Sequence, residues 1–342
     1  MQYTRLRRAG ARVSRLALGT MNFGPVIDEE ASRAILDRAV EAGIDFIDTA
    51  DVYGGGRWGD HPGQSEEILG RWMKDRGTRD DLIVATKVFG VMGPRSNDRG
   101  LSAVHIRASV DASLRRLGTD RIDLYQMHHI DREVPLDETL SAFATLREQG
   151  KITYLGSSNF AGWHLARVHE IASAAGYPAP VTEQSLYNLT ERTIELEVVP
   201  AAEQYGMGLL PWSPLASGQL GGVLQKTDRS RSSLDALGDR RPAIERYEAF
   251  CAELGIRPGV VAIAWLLHQP AVTAPVIGPR TIDQLDSAVE ALDVTLDAET
   301  LAELDRIWPG PGGTAPEAYA WQRARTKTGC RGHAPRHPVS SF

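Results

Sequence analysis

The chain predicts a (β/α)8 TIM barrel with a long loop after strand seven, extra helices near the carboxyl end and a flexible basic tail. Three observations predict it. Short apolar runs alternate with helical patterns over most of the 342 residues, and that alternation builds a parallel sheet with helices outside it. Eight strand candidates can be counted along the chain, enough to close a barrel. The clearest runs break at their carboxyl ends into polar or glycine-rich sequence, which a barrel would gather at one mouth.

The strands are expected at Leu16–Gly19, Phe46–Asp48, Leu82–Lys87, Ile122–Met127, Ile152–Ser157, Val181–Gln184, Gly208–Trp212 and Ala274–Ile277. Helices are expected between them at Glu29–Glu41, Ser65–Arg76, Ser102–Leu117, Leu136–Gln149 and Gly162–Ala174. Gly43, Gly77, Gly118 and Gly150 follow helical patterns, where tolerance of positive φ suits a terminus. Within LSAVHIRASVDASLRRLG the helical period puts Val104, Ile106, Val110, Leu114 and Leu117 on one broad inward stripe. The stretch Ser213–Arg241 is small-residue-rich, then charged, and reads as a mobile loop over the mouth. Two helices follow, near Pro242–Leu254 and Pro258–His268, and LDAETLAELDRIW makes one more after the last strand. No linker divides the chain. Residues 1–320 are expected to form one domain, and residues 321–342 a poorly ordered tail with five Lys/Arg and no Asp/Glu.

Composition narrows the functional classes. Hydrophobic residues make up 42% and charged residues 24%, the balance of a soluble globular enzyme. A net charge of -6, with no basic stripe interleaved with aromatics, argues against nucleic acid as a partner. Cys251 and Cys330 offer neither a disulfide framework nor a zinc site, so a reducing, cytoplasmic setting is expected. The first twenty residues do not read as a signal peptide, and no apolar run approaches the ~20 residues that span a bilayer.

Four residues carry the chemistry. Asp48 and Tyr53 lie in FIDTADVYG, Lys87 in IVATKVFG and His128 in LYQMHHID, all at the same end of three successive strands. Each alone has an ordinary structural role: a packed phenol, an edge charge, a turn cap, a loop histidine. Together they match what reduction of a carbonyl requires, because hydride delivery to carbon leaves negative charge on oxygen. A phenol with a pKa near ~10 is a weak acid. An adjacent ammonium stabilises its phenolate, an aspartate holds the ammonium, and a neutral imidazole orients the carbonyl. No catalytic metal is expected. No His/Cys cluster has zinc spacing, and strand alternation would point His128 and His129 apart. No G-x-S-x-G elbow is present for a serine nucleophile.

A hydride donor needs a site of its own. No G-x-G-x-x-G follows the first strand, and the glycines of YGGGRWGD read as a flexible loop. In VIGPRTIDQL the last strand passes through Gly278 and Pro279 into a helix near Thr281, where free N–H groups and the helix dipole favour an anion. Arg280 adds a fork suited to a phosphate monoester. Ser158, Asn159 and Gln184 could hold a carboxamide, and Trp212 could stack on a ring.

These motifs together resemble the aldo-keto reductase superfamily. FIDTADVYG, ATKVFG, LYQMHHID, GSSNF, EQSLYN, WSPLASG and VIGPRT occur in that family's order between about Leu16 and Trp308. The resemblance implies a (β/α)8 barrel, bound NADPH, no metal and a catalytic tetrad of Asp48, Tyr53, Lys87 and His128. It implies carboxamide contacts at Ser158, Asn159 and Gln184, and ring stacking at Trp212. It puts a pyrophosphate-covering loop at Ser213, Leu215 and Ser217, and an adenosine-phosphate site at Gly278, Arg280 and Gln284. Ala288 stands where many members carry an asparagine for the adenine, so a preference for NADPH rests largely on Arg280.

MHHIDR, NFAGWH and GPRTIDQLDSA are similar to an actinobacterial branch that includes deoxysugar-pathway reductases, which implies a nucleotide-linked keto-deoxysugar as substrate. Trp58, Phe89 and His129, with Trp212, are expected to line the substrate pocket. The expected partner is a small-molecule carbonyl compound, with neither nucleic acid nor membrane, and the resemblance leaves oligomerisation open. A competing reading is a redox-sensing regulatory subunit like the potassium-channel β-subunits that resemble this superfamily. It ranks lower because no extended docking segment precedes the barrel.

Overall fold

The computed structural model describes residues 1–56, 59–225 and 235–320. Trp58, residues 226–234 of the loop after strand seven and the tail 321–342 lie outside the described residues.

Two elements precede the barrel: β1 (Tyr3–Arg5) and β2 (Arg12–Ser14) pair antiparallel as a hairpin that the sequence reading did not anticipate. The barrel strands are β3 (Ala17–Gly19), β4 (Phe46–Asp48), β5 (Ile83–Val88), β6 (Ile122–Met127), β7 (Ile152–Ser158), β8 (Thr182–Gln184), β9 (Gly208–Leu209) and β10 (Val276–Ile277). Each is parallel to its neighbour, in the order β10-β3-β4-β5-β6-β7-β8-β9. The cylinder closes between β9 and the segment before β10. There Leu209 bridges Val272 in parallel and the Val276 N–H donates to the Pro211 carbonyl. All eight expected strands are found, with ends shifted by up to three residues.

The helices are α1 (Glu29–Glu41), α2 (Gln64–Arg76), α3 (Ala103–Leu117), α4 (Leu136–Glu148), α5 (Gly162–Ala175), α6 (Val198–Gln204), α7 (Arg241–Leu254), α8 (Pro258–His268), α9 (Ile282–Glu290), α10 (Ala298–Ile307) and α11 (Glu317–Ala320). Ser102 caps α3 by accepting from the His105 N–H. Gly118 ends it at φ 62°, a conformation costly for any residue with a Cβ. Gly70 on α2 has another role: a Cβ there would sit 2.2 Å from the Arg116 carbonyl, so its absence lets α2 and α3 pack at backbone contact.

One part of the expected stripe on α3 is wrong. Ile106, Val110 and Leu117 are buried and Leu114 packs against them, but Val104 is 63% exposed. It stands two residues from Ile106, about 200° around the helix axis. The inward position is filled instead by His105, which is buried and shares a hydrogen bond with Ser109.

The core has two layers. The larger lies between sheet and helices and includes Trp72, Phe143, Val168 and Trp265. The smaller fills the amino-terminal half of the barrel interior with Ala17, Phe46, Ala85, Leu124, Leu210 and Ala274. Leu6 and Val13 from the hairpin region are fully buried in this inner layer, so the hairpin plugs the end opposite the strand carboxyl termini. The polar inward residues are thereby confined to the carboxyl-terminal mouth. No single described helix is long and apolar enough to cross a membrane.

Candidate active site

Inward-facing residues of four strands meet above the apolar plug. Lys87, fully buried on β5, donates to Asp48 Oδ2 at 2.6 Å, to the Thr49 carbonyl at 2.9 Å and to the Tyr53 hydroxyl at 3.2 Å. Three donors thus meet three acceptors. The second oxygen of Asp48 accepts from Gln126 Nε2 at 3.0 Å and from Gln184 Nε2 at 2.9 Å. The His128 ring lies edge-on to Tyr53, 5.9 Å between centroids at 82°. The four residues singled out in the sequence therefore converge, as the common strand end predicts.

Their electrostatics set burial against charge. Burial pushes the Tyr53 phenol above its ordinary value. Lys87 pulls it back, Asp48 pushes it up again, and the net direction is up. Lys87 leaves the phenol more acidic than burial alone would, as expected, but desolvation, with Asp48 behind it, outweighs that pull. The phenol keeps its proton. Burial alone would lower the Lys87 ammonium, but Asp48 and Tyr53 outweigh it and hold the charge in place.

Gln126 is a participant that the sequence reading missed. Its signal is a glutamine near the carboxyl end of the β6 run IDLYQM, in register with Lys87. A polar residue in such a strand needs a buried partner, and Asp48 supplies it.

The expected pocket residues are partly visible. The rings of His128 and His129 are stacked, with centroids 5.4 Å apart and planes at 15°. The alternation argument that would point them apart fails because β6 ends at Met127 and the chain then turns. Phe89 is tilted against His129 at 5.4 Å. Val52 and Tyr53 pack with Met21 and Met92 beside them, so the wall nearest the phenol is apolar. Trp58 lies outside the described residues.

The remaining candidates line the adjacent loops. Ser158 Oγ donates to the Gln184 carbonyl at 2.8 Å. Asn159 Nδ2 donates to Ser158 Oγ at 2.9 Å and to the His128 carbonyl at 3.1 Å, and Asn159 Oδ1 accepts from Trp212 Nε1 at 3.0 Å. Asn159, Ser213, Ala216 and Ser217 all have positive φ, between 47° and 59°. Only one other non-glycine described residue, Arg7, does so. Such backbone costs about 1–3 kcal/mol per residue and gathers at ligand clamps. Ser213 Oγ accepts from the Ser217 N–H at 3.1 Å, which tightens the turn containing Leu215.

At the end of β10, Gly278 is exposed, and a Cβ there would meet only Asn22 Nδ2, at 3.5 Å. Thr281 caps α9 by accepting from the Gln284 N–H, and the Arg280 N–H donates to Gln284 Oε1 at 2.9 Å. Two of the N–H groups expected to be free for an anion are therefore already bonded, that of Arg280 to the Gln284 side chain folding back over its helix start and that of Gln284 to the Thr281 cap. Ala288 is buried in the apolar layer.

Behind Lys87, on the outer face of the sheet, lies a buried acidic cluster that sequence reasoning did not single out. Glu66 on α2 accepts from Thr86 Oγ1 at 2.6 Å and from Arg116 Nε at 2.7 Å. Asp51 is fully buried nearby, and neither carboxylate oxygen has a hydrogen-bond partner. Burial, reinforced by Glu66, pushes the Asp51 carboxyl well above its usual range, against the pull of Arg116 and Lys87. The unfolded chain ionises at Asp51 near pH ~3.9. Above that pH the unfolded state loses the proton while the folded state keeps it, so this group's stabilisation is full at low pH and is lost as pH rises towards its folded value. An Asp51→Asn variant should therefore gain Tm relative to the parent as pH rises from ~4 to ~7. Thermal melts across that interval check this, and a constant difference would refute it.

The match to a family model decides the identity. The aldo/keto reductase family model covers residues 15–309. The chain belongs to the aldo/keto reductase family. It is 48% identical over 331 residues to an uncharacterized oxidoreductase, YrpG, of Bacillus subtilis, covering 94% of this chain and 100% of that protein. It is 35% identical to a probable voltage-gated potassium channel subunit beta of Oryza sativa subsp. japonica, covering 86% and 92% of the two chains. It is 34% identical to the versiconal hemiacetal acetate reductase of Aspergillus parasiticus, covering 89% and 96%.

As an aldo/keto reductase the protein is an oxidoreductase enzyme, of a family that generally uses NAD(P)H. The mouth fits such a dinucleotide by its own geometry. The shelf of Ser158, Asn159 and Gln184 abuts the Tyr53–Lys87 pair through Asp48. The left-handed turn at residues 213–217 presents strained backbone, and Gly278 leaves open space beside Arg280.

Proposed function

We propose that this aldo/keto reductase catalyses NADPH-dependent reduction of an aldehyde or ketone, with Tyr53 as proton donor. The observation that carries the reading is the Lys87 ammonium, locked by Asp48 and 3.2 Å from the Tyr53 hydroxyl. When bound, NADPH would supply the hydride. Tyr53, a phenol held protonated, gives its proton to the carbonyl oxygen as charge develops there. Lys87 then stabilises the phenolate left behind. His128, fixed through its main chain by Val88 and Asn159, orients the carbonyl. Trp212 offers the ring face, while Ser158, Asn159 and Gln184 offer the carboxamide contacts. The turn with Ser213, Leu215 and Ser217 would cover the pyrophosphate, and Gly278, Arg280 and Gln284 would hold the adenosine phosphate.

The substrate we propose is a keto-deoxysugar linked to a nucleotide, supported by the MHHIDR, NFAGWH and GPRTIDQLDSA segments. The apolar wall of Val52, Met21 and Met92 suits a deoxygenated sugar edge better than a fully hydroxylated one. Steady-state rates with a nucleotide-linked keto-sugar and with simple aliphatic and aromatic aldehydes test it. Preference for the simple aldehydes would remove the sugar and leave the reductase. The reading places the enzyme in the cytoplasm with a small-molecule partner.

The similarity to the rice channel subunit supports a second reading, a redox-sensing regulatory subunit using the same pocket. It predicts that bound NADPH is oxidised once and slowly, with little turnover, and stopped-flow absorbance at 340 nm under single- and multiple-turnover conditions separates the two.

Arg280→Ala should weaken NADPH by roughly 10–100-fold while leaving NADH within about threefold, since charge-assisted bonds to a 2′-phosphate contribute about 1.5–3 kcal/mol. Calorimetric titration with both cofactors checks it. Equal losses would remove Arg280 from that phosphate.

A further inference from the structure

Glu183 precedes Gln184 on β8, and strand alternation turns it away from Asp48, towards the segment that follows β7. It is fully buried. Oε2 accepts from Ser157 Oγ at 2.5 Å, while Oε1 accepts from Ser185 Oγ at 2.7 Å and from the Phe160 N–H at 3.1 Å. The groups bonded to it are two hydroxyls and one main-chain N–H, with no cation among them. Without a countercharge, burial pushes the carboxyl up to about 7 despite those bonds.

A buried carboxylate held so expensively in free energy calls for a reason beyond packing, and the turn it supports supplies one. Phe160 follows Asn159, whose φ is 59°. Asn159 reaches the His128 carbonyl with its amide nitrogen and the Trp212 indole with its amide oxygen. Ser157 and Ser185 flank the same turn on the two neighbouring strand ends. An acceptor-only group is what three converging donors need. An apolar residue would strand the Ser185 hydroxyl and the Phe160 N–H in a dry environment, and would leave the Ser157 hydroxyl only the Thr182 carbonyl at 3.2 Å.

We propose that Glu183 is a positioning residue for the nicotinamide end of the cofactor site: it clamps the Ser157–Phe160 turn, and the turn sets Asn159 between His128 and Trp212. This rests on the reading that Ser158 and Asn159 meet the nicotinamide carboxamide. Neither hydride nor proton passes through Glu183, which touches neither ligand.

The test compares NADPH with 2′-phospho-ADP-ribose, a fragment that keeps the adenosine end and lacks nicotinamide. Calorimetric titration of the intact protein and of Glu183→Ala should show NADPH weakened about tenfold or more, from loss of buried hydrogen bonds, and the fragment unchanged within about twofold. Glu183→Gln should fall between. Its single carbonyl oxygen can still accept from Phe160 and Ser185, and its amide nitrogen can donate to a rotated Ser157 hydroxyl. Should Glu183→Ala fail to fold, Glu183→Gln and Ser157→Ala carry the same comparison, with smaller losses confined to NADPH. Equal weakening of both ligands, or of neither, overturns the proposal. An intact protein that binds the fragment as tightly as NADPH would instead overturn the reading that the turn meets nicotinamide, on which Glu183's role rests.

Discussion

Tyr53→Phe is expected to lower the rate of carbonyl reduction by about 10²–10⁴-fold, the range for removing a positioned general acid, while NADPH affinity stays within about threefold. The substitution deletes one oxygen and keeps the ring against Val52 and its edge contact with His128. Lys87 loses one of three acceptors and keeps Asp48 and the Thr49 carbonyl, so the cation stays paired. The fold should lose no more than about 1–3 kcal/mol. The proposed cofactor contacts lie on β7, β8 and the loops after β9 and β10, which this change does not reach. Steady-state kinetics alongside fluorescence titration reads both halves. A kcat within tenfold of the parent would remove Tyr53 as the acid, and a collapse of NADPH binding would put the cofactor against the phenol itself.

Lys87→Met should cost more stability than any exchange at the protein surface. It leaves the Asp48 carboxylate buried with two amide donors and no countercharge. Breaking a buried pair in this way costs about 3–5 kcal/mol, or roughly 4–7 °C in Tm for a chain of this length. An exposed pair such as Arg71–Glu29 contributes below about 1 kcal/mol. The double variant Asp48→Asn with Lys87→Met removes both charges and should recover much of the lost Tm without recovering activity. The single variant therefore reports the stranded charge, and the double separates that from the missing cation. Equal melting temperatures for the two would mean that Asp48 takes up a proton or water when Lys87 is gone.

Barrel, strand order and tetrad were legible in the chain because they depend on local pattern. A strand buried on both faces writes itself as a short apolar run, and its polar candidate stands where the run ends, as at Asp48, Lys87 and His128. Three kinds of feature were not legible. The hairpin at residues 3–14 packs Leu6 and Val13 into the barrel floor through long-range contacts that its own sequence does not announce. Val104 lies at the margin of the apolar stripe, and only packing against α2 and α4 fixes which edge of α3 is wet. The stacking of His128 on His129 depends on where β6 stops, and register with β5 and β7 sets that point.

The buried acids mark the same division. Asp51, Glu66 and Glu183 read in the sequence as three carboxylates among many. They stand out once the fold removes water from all three and gives them different surroundings: Arg116 and Thr86 bonded to Glu66, two serines and a main-chain N–H bonded to Glu183, and for Asp51 only the fields of Glu66, Arg116 and Lys87 with no side-chain hydrogen bond. Residue order alone set the architecture and the end of the barrel at which chemistry collects, because period and strand polarity are properties of the chain. How acidic Tyr53 is, which donors Gln284 has already spent and which carboxylates carry a charge are set by desolvation and by distances between residues far apart in sequence, and those quantities exist only in the folded state.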